Sequence, residues 1–201
     1  MLFPRENEFN KEVLAASQAT GVPVSVIKGF IGLESAFNPN AYREEKHISD
    51  ASYGLMQILY KTAKGVGYAG EPKGLLAPAA SILYGAKFLR GLLQRYPNVL
   101  DAIASYNMGH PRKASATTPT IVGIYGKPGP DWVYANQPYV DRVASYIAYY
   151  QALEKADASR AAVVLDLIKK KITPKAALYL DLSSLHSLPE QKPKPENGAA
   201  S

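Results

Sequence analysis

With 201 residues, 47% of them hydrophobic, the chain can bury one main core and an appendage but not two full domains. Its 23 Lys and Arg against 17 Asp and Glu give a net charge of +6. That excess divides into +4 over residues 1–150 (15 minus 11) and +2 over 151–201 (8 minus 6), so no basic arm marks a nucleic-acid partner. The absence of cysteine excludes disulfides and thiolate metal sites.

The start, MLFPRENEFN, lacks the charged-then-apolar pattern of a secretory signal. No apolar run reaches the length needed to cross a bilayer. The expectation is a chain made soluble without a signal peptide, carried by something else if its target lies outside the cytoplasm.

Helical periodicity dominates and clean alternation is hard to find, which predicts an all-α fold. Helices are expected over 7–20, 24–36, 55–65, 78–96, 99–108, 139–155, 158–171 and 175–186. Gly21 and Pro23 separate the first two. In the fourth, Ile82, Ala86, Leu89 and Leu93 follow one stripe at helical spacing. Asn98 with Asp101 three residues on resembles a capping box, and Thr173 before Pro174 reads as a cap with proline at the first helical position. Between Gly109 and Pro138 lies a long Pro- and Gly-rich loop whose Tyr125, Trp132 and Tyr134 are candidates to line a groove. By contrast Tyr146, Tyr149 and Tyr150 sit at helical spacing after Tyr139 and read as core. An amphipathic pair carries Val163, Val164, Leu167 and Ile168, then Leu178 and Leu182; it either packs back on the domain or docks a partner. Beyond about residue 187 the composition turns to Pro, Lys, Glu and Gly, an expected disordered tail. The domain plan is therefore 1–155, a helical extension over 156–187, and a tail over 188–201.

Three polar residues sit in apolar contexts. In the second helix Ile27, Phe30 and Ile31 mark the buried stripe, and the next position of that series is Glu34. Burial and the negative end of the helix, stopped by Pro39, both favour the protonated acid, which suits it to protonate a leaving oxygen. A structural ion pair is the competing account. Asn107 shares a face with Leu100, Ile103 and Ala104, and Gln57 stands between Met56 and Ile58. Buried amides need partners, so the three suggest one shared site. The GVGYAG stretch at 65–70 follows a helix rather than a strand and is set aside as a dinucleotide motif. His47, His110 and His186 have no ligand spacing, so no metal or cofactor is expected.

ESAFNP at 34–39, GLMQI at 54–58, ASYNMG at 104–109 and PYVDRV at 138–143 resemble, in order, the four motifs of the soluble (SLT) lytic transglycosylase family, whose domain is similar to goose-type lysozyme. The resemblance covers roughly residues 9–152. It implies an all-α, lysozyme-like fold with a C-terminal helical extension. It also implies cleavage of the β-1,4 bond between N-acetylmuramic acid and N-acetylglucosamine, leaving a 1,6-anhydromuramic end. By the same resemblance Glu34 would be the sole catalytic acid and base, and Ser35 would order the substrate. Gln57 with the backbone around Met56 would line the groove, Tyr106 and Asn107 would contact the sugar and its N-acetyl group, and Tyr139 would orient Glu34. Two departures stand out: YREEKHI at 42–48 enlarges the loop between the first two motifs, and the loop before the fourth is long.

Two other readings remain open from the sequence. Glu44, Glu45 or Asp50 on the enlarged loop could reach the opposite face of the sugar and make the enzyme a hydrolysing muramidase. Alternatively the chain is an adaptor of a phage tail or virion, docked through residues 156–187 and binding the host cell wall, peptidoglycan glycan strands being its partner in either case.

Overall fold

The computed structural model describes residues 1–114 and 132–183; Tyr125, His186 and the expected tail lie outside them. Eight α-helices are present among these residues: α1 (Asn10–Thr20), α2 (Val24–Ser35), α3 (Tyr60–Gly65), α4 (Pro78–Arg95), α5 (Val99–Met108), α6 (Gln137–Glu154), α7 (Ala158–Lys169) and α8 (Thr173–Ala177). A three-stranded antiparallel sheet, β1 (Tyr42–Glu45), β2 (Asp50–Tyr53) and β3 (Ile58–Leu59), lies between α2 and α3.

The fold is predominantly helical, as the periodicity indicates, but the sheet departs from it in detail. Where a helix was expected over 55–65, the chain makes a tight turn and β3, and α3 starts only at Tyr60. The reason is local: Gly54 has φ +67 and Gln57 φ +44, left-handed values that interrupt a helix. A Cβ at position 54 would lie 2.5 Å from the Leu75 carbonyl oxygen, so this turn requires glycine on both counts. Asn98 caps α5, its Oδ1 accepting from the Leu100 N–H at 3.0 Å, but the expected box with Asp101 is not made: Asp101 Oδ1 accepts from Tyr134 and Lys113 instead. Thr173 does not cap α8; it is the first helical residue, after Ile172.

Helix α2 is buried on nearly every side from Ser25 to Gly32, so it is a central helix rather than an amphipathic one with a single inner stripe. It packs most extensively against α6, while α1 packs on α4 and α5 on both α4 and α6. The α2–α6 pair is close because Gly29 leaves room for Ile147. At one end of the pair Glu154 of α6 accepts from the Ser25 N–H at 2.7 Å, an anion at the N-terminus of α2. Tyr146, Tyr149 and Tyr150 are buried, as expected. Tyr134 is not a groove residue: it is 1% exposed, its hydroxyl donating to Asp101 at 2.7 Å.

After Ala156, which turns with φ +53, α7 and α8 fold back onto α6. Val164 and Ala176 are fully buried, and Gln151 holds both the N–H and the carbonyl of Asp181 at 2.8 and 2.9 Å. Packing back, one of the two outcomes expected for this segment, is what the residues do, although Leu178 and Leu182 stay exposed. No helix among the described residues is long and apolar enough to cross a membrane.

The α2–α6 contact supplies a paired prediction. A Cβ added at Gly29 meets Ile147 Cγ1 at 2.4 Å and the Ile147 backbone N at 3.0 Å, whereas one added at Gly91 meets nothing within 4 Å. Both changes gain about 1 kcal/mol of helix propensity, but overpacking a core costs roughly 1–3 kcal/mol. Urea unfolding should therefore show Gly29→Ala destabilised by up to about 2 kcal/mol and Gly91→Ala stabilised by up to about 1 kcal/mol.

Candidate active site

Glu34 sits in the last turn of α2, half-buried at the floor of a groove. Seven residues past Ile27 it keeps the inward angle of the stripe, yet lies roughly 10 Å further along the axis, where the core gives way to a cleft. The chain then leaves the helix through Ala36 (φ 49) and Phe37 (φ 62), with Phe37 fully buried. Desolvation raises the Glu34 carboxyl from 4.5 to about 7, against a hydrogen bond from Tyr139 and the positive charge of Arg43. The Tyr139 hydroxyl donates to Glu34 Oε1 at 2.6 Å. Glu34 has no buried salt-bridge partner among the described residues, so the ion-pair account of this acid fails.

The turn at 54–57 joins the other motif residues to this carboxyl. Ser35 Oγ donates to the Leu55 carbonyl at 2.8 Å, tying the end of α2 to the turn. Met56 is buried and its N–H is accepted by Ser81 Oγ at 3.1 Å, while its carbonyl accepts from the Tyr106 hydroxyl at 2.9 Å. Gln57 Nε2 donates to the Ala41 and Gly54 carbonyls, both at 3.0 Å, which holds its left-handed backbone and, among the described residues, leaves Oε1 as the free end of its amide. The Tyr106 ring packs on Phe30 and Phe88. Burial, and then the charge of Glu34, push its hydroxyl well above the ordinary value of 10, so it stays a donor.

One wall of the groove was not foreseen as structure. The short sheet alternates: Arg43, Glu45, Ser52 and Leu59 face Glu34, while Tyr42, Glu44, Ala51 and Tyr53 face the opposite side. Glu45 accepts from Arg43 Nε at 2.5 Å and Ser52 Oγ at 3.3 Å. Of the three acids proposed as a second carboxyl, then, only Glu45 reaches the groove. Asp50 is occupied elsewhere, accepting from the Ala51 and Lys61 N–H groups at 2.8 and 3.1 Å. Glu44 is exposed beside Lys46.

Asn107 does not lie on the buried face of α5. It is exposed at the groove, because seven residues after Leu100 the last turn has passed the edge of the core. Its Oδ1 accepts from Asn136 Nδ2 at 3.2 Å, and Asn136, unforeseen from the sequence, is fully buried. Asn136 precedes α6 and reads as an ordinary helix cap, so its position carries no signal for this contact. Two adjoining chambers of about 510 and 500 Å³ share His47, Gln57, Tyr106 and Asn107 in their walls. Glu34 opens on one, and Phe88 and Arg112 line the other. Trp132 lines neither. Among the described residues no cluster of three His, Asp or Glu that could hold a metal ion forms.

The family profile described as Transglycosylase SLT domain matches residues 12–119. Among solved structures, the chain is similar to an inactive Glu-to-Gln variant of lytic transglycosylase Slt from Pseudomonas aeruginosa, with a TM-score of 0.53 at 21% identity. That likeness covers 77% of this chain and 25% of the other, so it concerns the fold, and the chain spans about a quarter of that neighbour. No curated protein matches.

The raised Glu34 carboxyl ties stability to pH. As pH rises from the ordinary 4.5 toward about 7, the unfolded chain gives up this proton before the folded one, so stability falls across that window. Glu34→Gln removes the effect. By urea unfolding it should match the unmodified chain near pH 4 and exceed it by on the order of 2 kcal/mol near pH 8. Tyr139→Phe deletes the hydrogen bond that favours the carboxylate, and NMR titration should then place the Glu34 carboxyl above its value in the unmodified chain.

Proposed function

The chain belongs to the transglycosylase SLT domain family, and from that premise we propose that it is a peptidoglycan lytic transglycosylase with Glu34 as its acid and then its base. The single observation that carries this reading is a carboxyl at the floor of a groove, raised by burial to about 7, with the Tyr139 hydroxyl bonded to it and no salt bridge among the described residues. A general acid is most effective when its pKa lies near the working pH. The neighbouring Slt is itself named a lytic transglycosylase, and its Glu-to-Gln variant is inactive.

Glu34 gives its proton to the glycosidic oxygen as the C1–O bond of N-acetylmuramic acid breaks and the N-acetylglucosamine hydroxyl leaves. The resulting carboxylate, stabilised by the Tyr139 hydroxyl, takes the proton from the muramic C6 hydroxyl, whose oxygen closes on C1 to give the 1,6-anhydro ring. Glu34 ends protonated, as it began. The sugar supplies its own nucleophile, so the second carboxyl that most glycosidases place about 5–9.5 Å away has no step to perform. Ser35 and Gln57 support this geometry through the turn that carries Met56, and Tyr106 and Asn107 present the polar edge against which the sugar is read.

Glu45 supports a second reading, hydrolysis, because it shares the chamber with Glu34. Its pairing with Arg43 and Ser52 favours the first, because both bonds commit this carboxylate to the wall of the groove. Delivery by a phage particle, with docking through residues 156–187, is the finer part of the proposal. It draws support from Leu178 and Leu182, exposed on a segment otherwise packed against α6.

Incubation with purified sacculi and mass analysis of the released muropeptides tests the chemistry. Anhydromuramic ends are expected, and reducing muramic ends would assign the protein to the hydrolases. Glu34→Gln should lower release by at least about a thousandfold, and full activity in that variant would remove Glu34 from its role. Glu45→Gln should keep the anhydro product with a rate within about tenfold; loss of all product release would mean that Glu45 takes part in the chemistry.

A further inference from the structure

Asn136 spends its side chain in a way that stability alone does not explain. It occupies the residue before α6, where an asparagine ordinarily turns its oxygen onto the first helical N–H groups, yet it makes no such cap bond. Its amide instead enters the core, fully buried, and donates both Nδ2 hydrogens to α5: to the Ala104 carbonyl at 3.1 Å and to Asn107 Oδ1 at 3.2 Å. Its own Oδ1 is buried without a protein partner among the described residues. The local rule for the cap is thus broken, a departure that works against stability. Positions where local rules fail in this manner are characteristically functional.

The donation determines what Asn107 offers the groove. A carboxamide has one oxygen edge and one NH₂ edge. With the oxygen held inward by Asn136, the NH₂ edge is left for the groove, where Asn107 is exposed and lines both chambers. Rotating the amide by half a turn would set its NH₂ against the NH₂ of Asn136, which disfavours that alternative. We infer that Asn136 is a positioning residue that holds Asn107 as a hydrogen-bond donor, and so makes the groove select sugars bearing an acetamido carbonyl over sugars bearing a hydroxyl at the same carbon. This rests on the saccharide-groove reading above. Asn107 touches the sugar, and Asn136 acts through it.

Binding tests the inference without relying on turnover. The probes are the β-1,4-linked tetramer of N-acetylglucosamine and the corresponding glucose tetramer, both uncharged, titrated calorimetrically into the full chain. The unmodified protein should bind the acetylated tetramer more tightly. Asn136→Asp replaces the donor with an acceptor facing Asn107 Oδ1 and should turn the Asn107 amide over. The preference should then fall by roughly five- to tenfold, with affinity for the glucose tetramer unchanged within about twofold. Asn136→Leu, which buries no charge, frees the amide without inverting it and should lose about half of the preference; it decides the matter if circular dichroism shows the Asp variant unfolded. An unaltered preference in folded variants overturns the inference, as does a proportional loss for both tetramers, which is what a merely structural role would produce. Equal binding of both tetramers by the unmodified protein also overturns it, while the sacculus assay separately reports whether the proposed activity stands.

Discussion

The 2.6 Å hydrogen bond from Tyr139 to Glu34 joins residues 105 apart in sequence, and it forms only if α2 and α6 cross at one depth and in one register. Gly29 sets the depth by admitting Ile147. Register is held by two polar clasps on an antiparallel pair. The start of α6 meets the end of α2 through Tyr139 and Glu34, and the end of α6 meets the start of α2 through Glu154 and the Ser25 N–H. Burying α2 on nearly every side makes this pair rigid, which lets a carboxyl at its rim be desolvated without being lost in the core. The acid is perturbed by its position in the packing, and desolvation outweighs the Tyr139 hydrogen bond and the charge of Arg43 that act against it.

Around that acid, most polar atoms are already engaged with the protein. Ser35 is committed to Leu55, Gln57 Nε2 to Ala41 and Gly54, and Tyr106 to Met56. Each bond fixes a side chain without reducing its second edge, so the groove presents a small number of oriented groups rather than a set of mobile ones. Such groups need no reorganisation when a substrate enters or charge develops. The strained Gln57 backbone at φ +44 persists because two hydrogen bonds from its own side chain over-determine it.

The small sheet gives the groove a charged wall and at the same time limits it. Period-two alternation turns Arg43, Glu45 and Ser52 toward Glu34 and sends Glu44 to the other side, while Asp50, at the strand's end, is held by the Ala51 and Lys61 N–H groups. The enlarged loop thus brings a second carboxylate near the first, and neutralises it in place with Arg43. Arg43 also acts on Glu34: burial draws its pKa up, and the Tyr139 hydrogen bond, then the Arg43 charge, draw it down.

Local pattern alone was enough for the long helices, since apolar spacing, Gly21 and Pro23, and the Asn98 cap are read within a few residues. It was also enough to single out Glu34, a charge on an apolar stripe, and to rank Tyr146, Tyr149 and Tyr150 as core. The strands were not legible, because runs of two to four residues carry too little alternation to rise above helical periodicity, and the left-handed turn at Gln57 leaves no mark in composition. Tyr134 read as a groove aromatic and is core; Asn107 read as a site residue on the core face of its helix and is exposed at the groove; Asn136 gave no sign at all. In each case the deciding fact is how far an element extends past the packed interior, or which distant helix stands beside it. The sequence alone determined which residues can carry the chemistry, because that depends on residue type and spacing. Which of them meet, which acid loses its water and which amide edge faces the groove were decided only by the tertiary structure, because burial and hydrogen-bond partners are set by residues far apart along the chain.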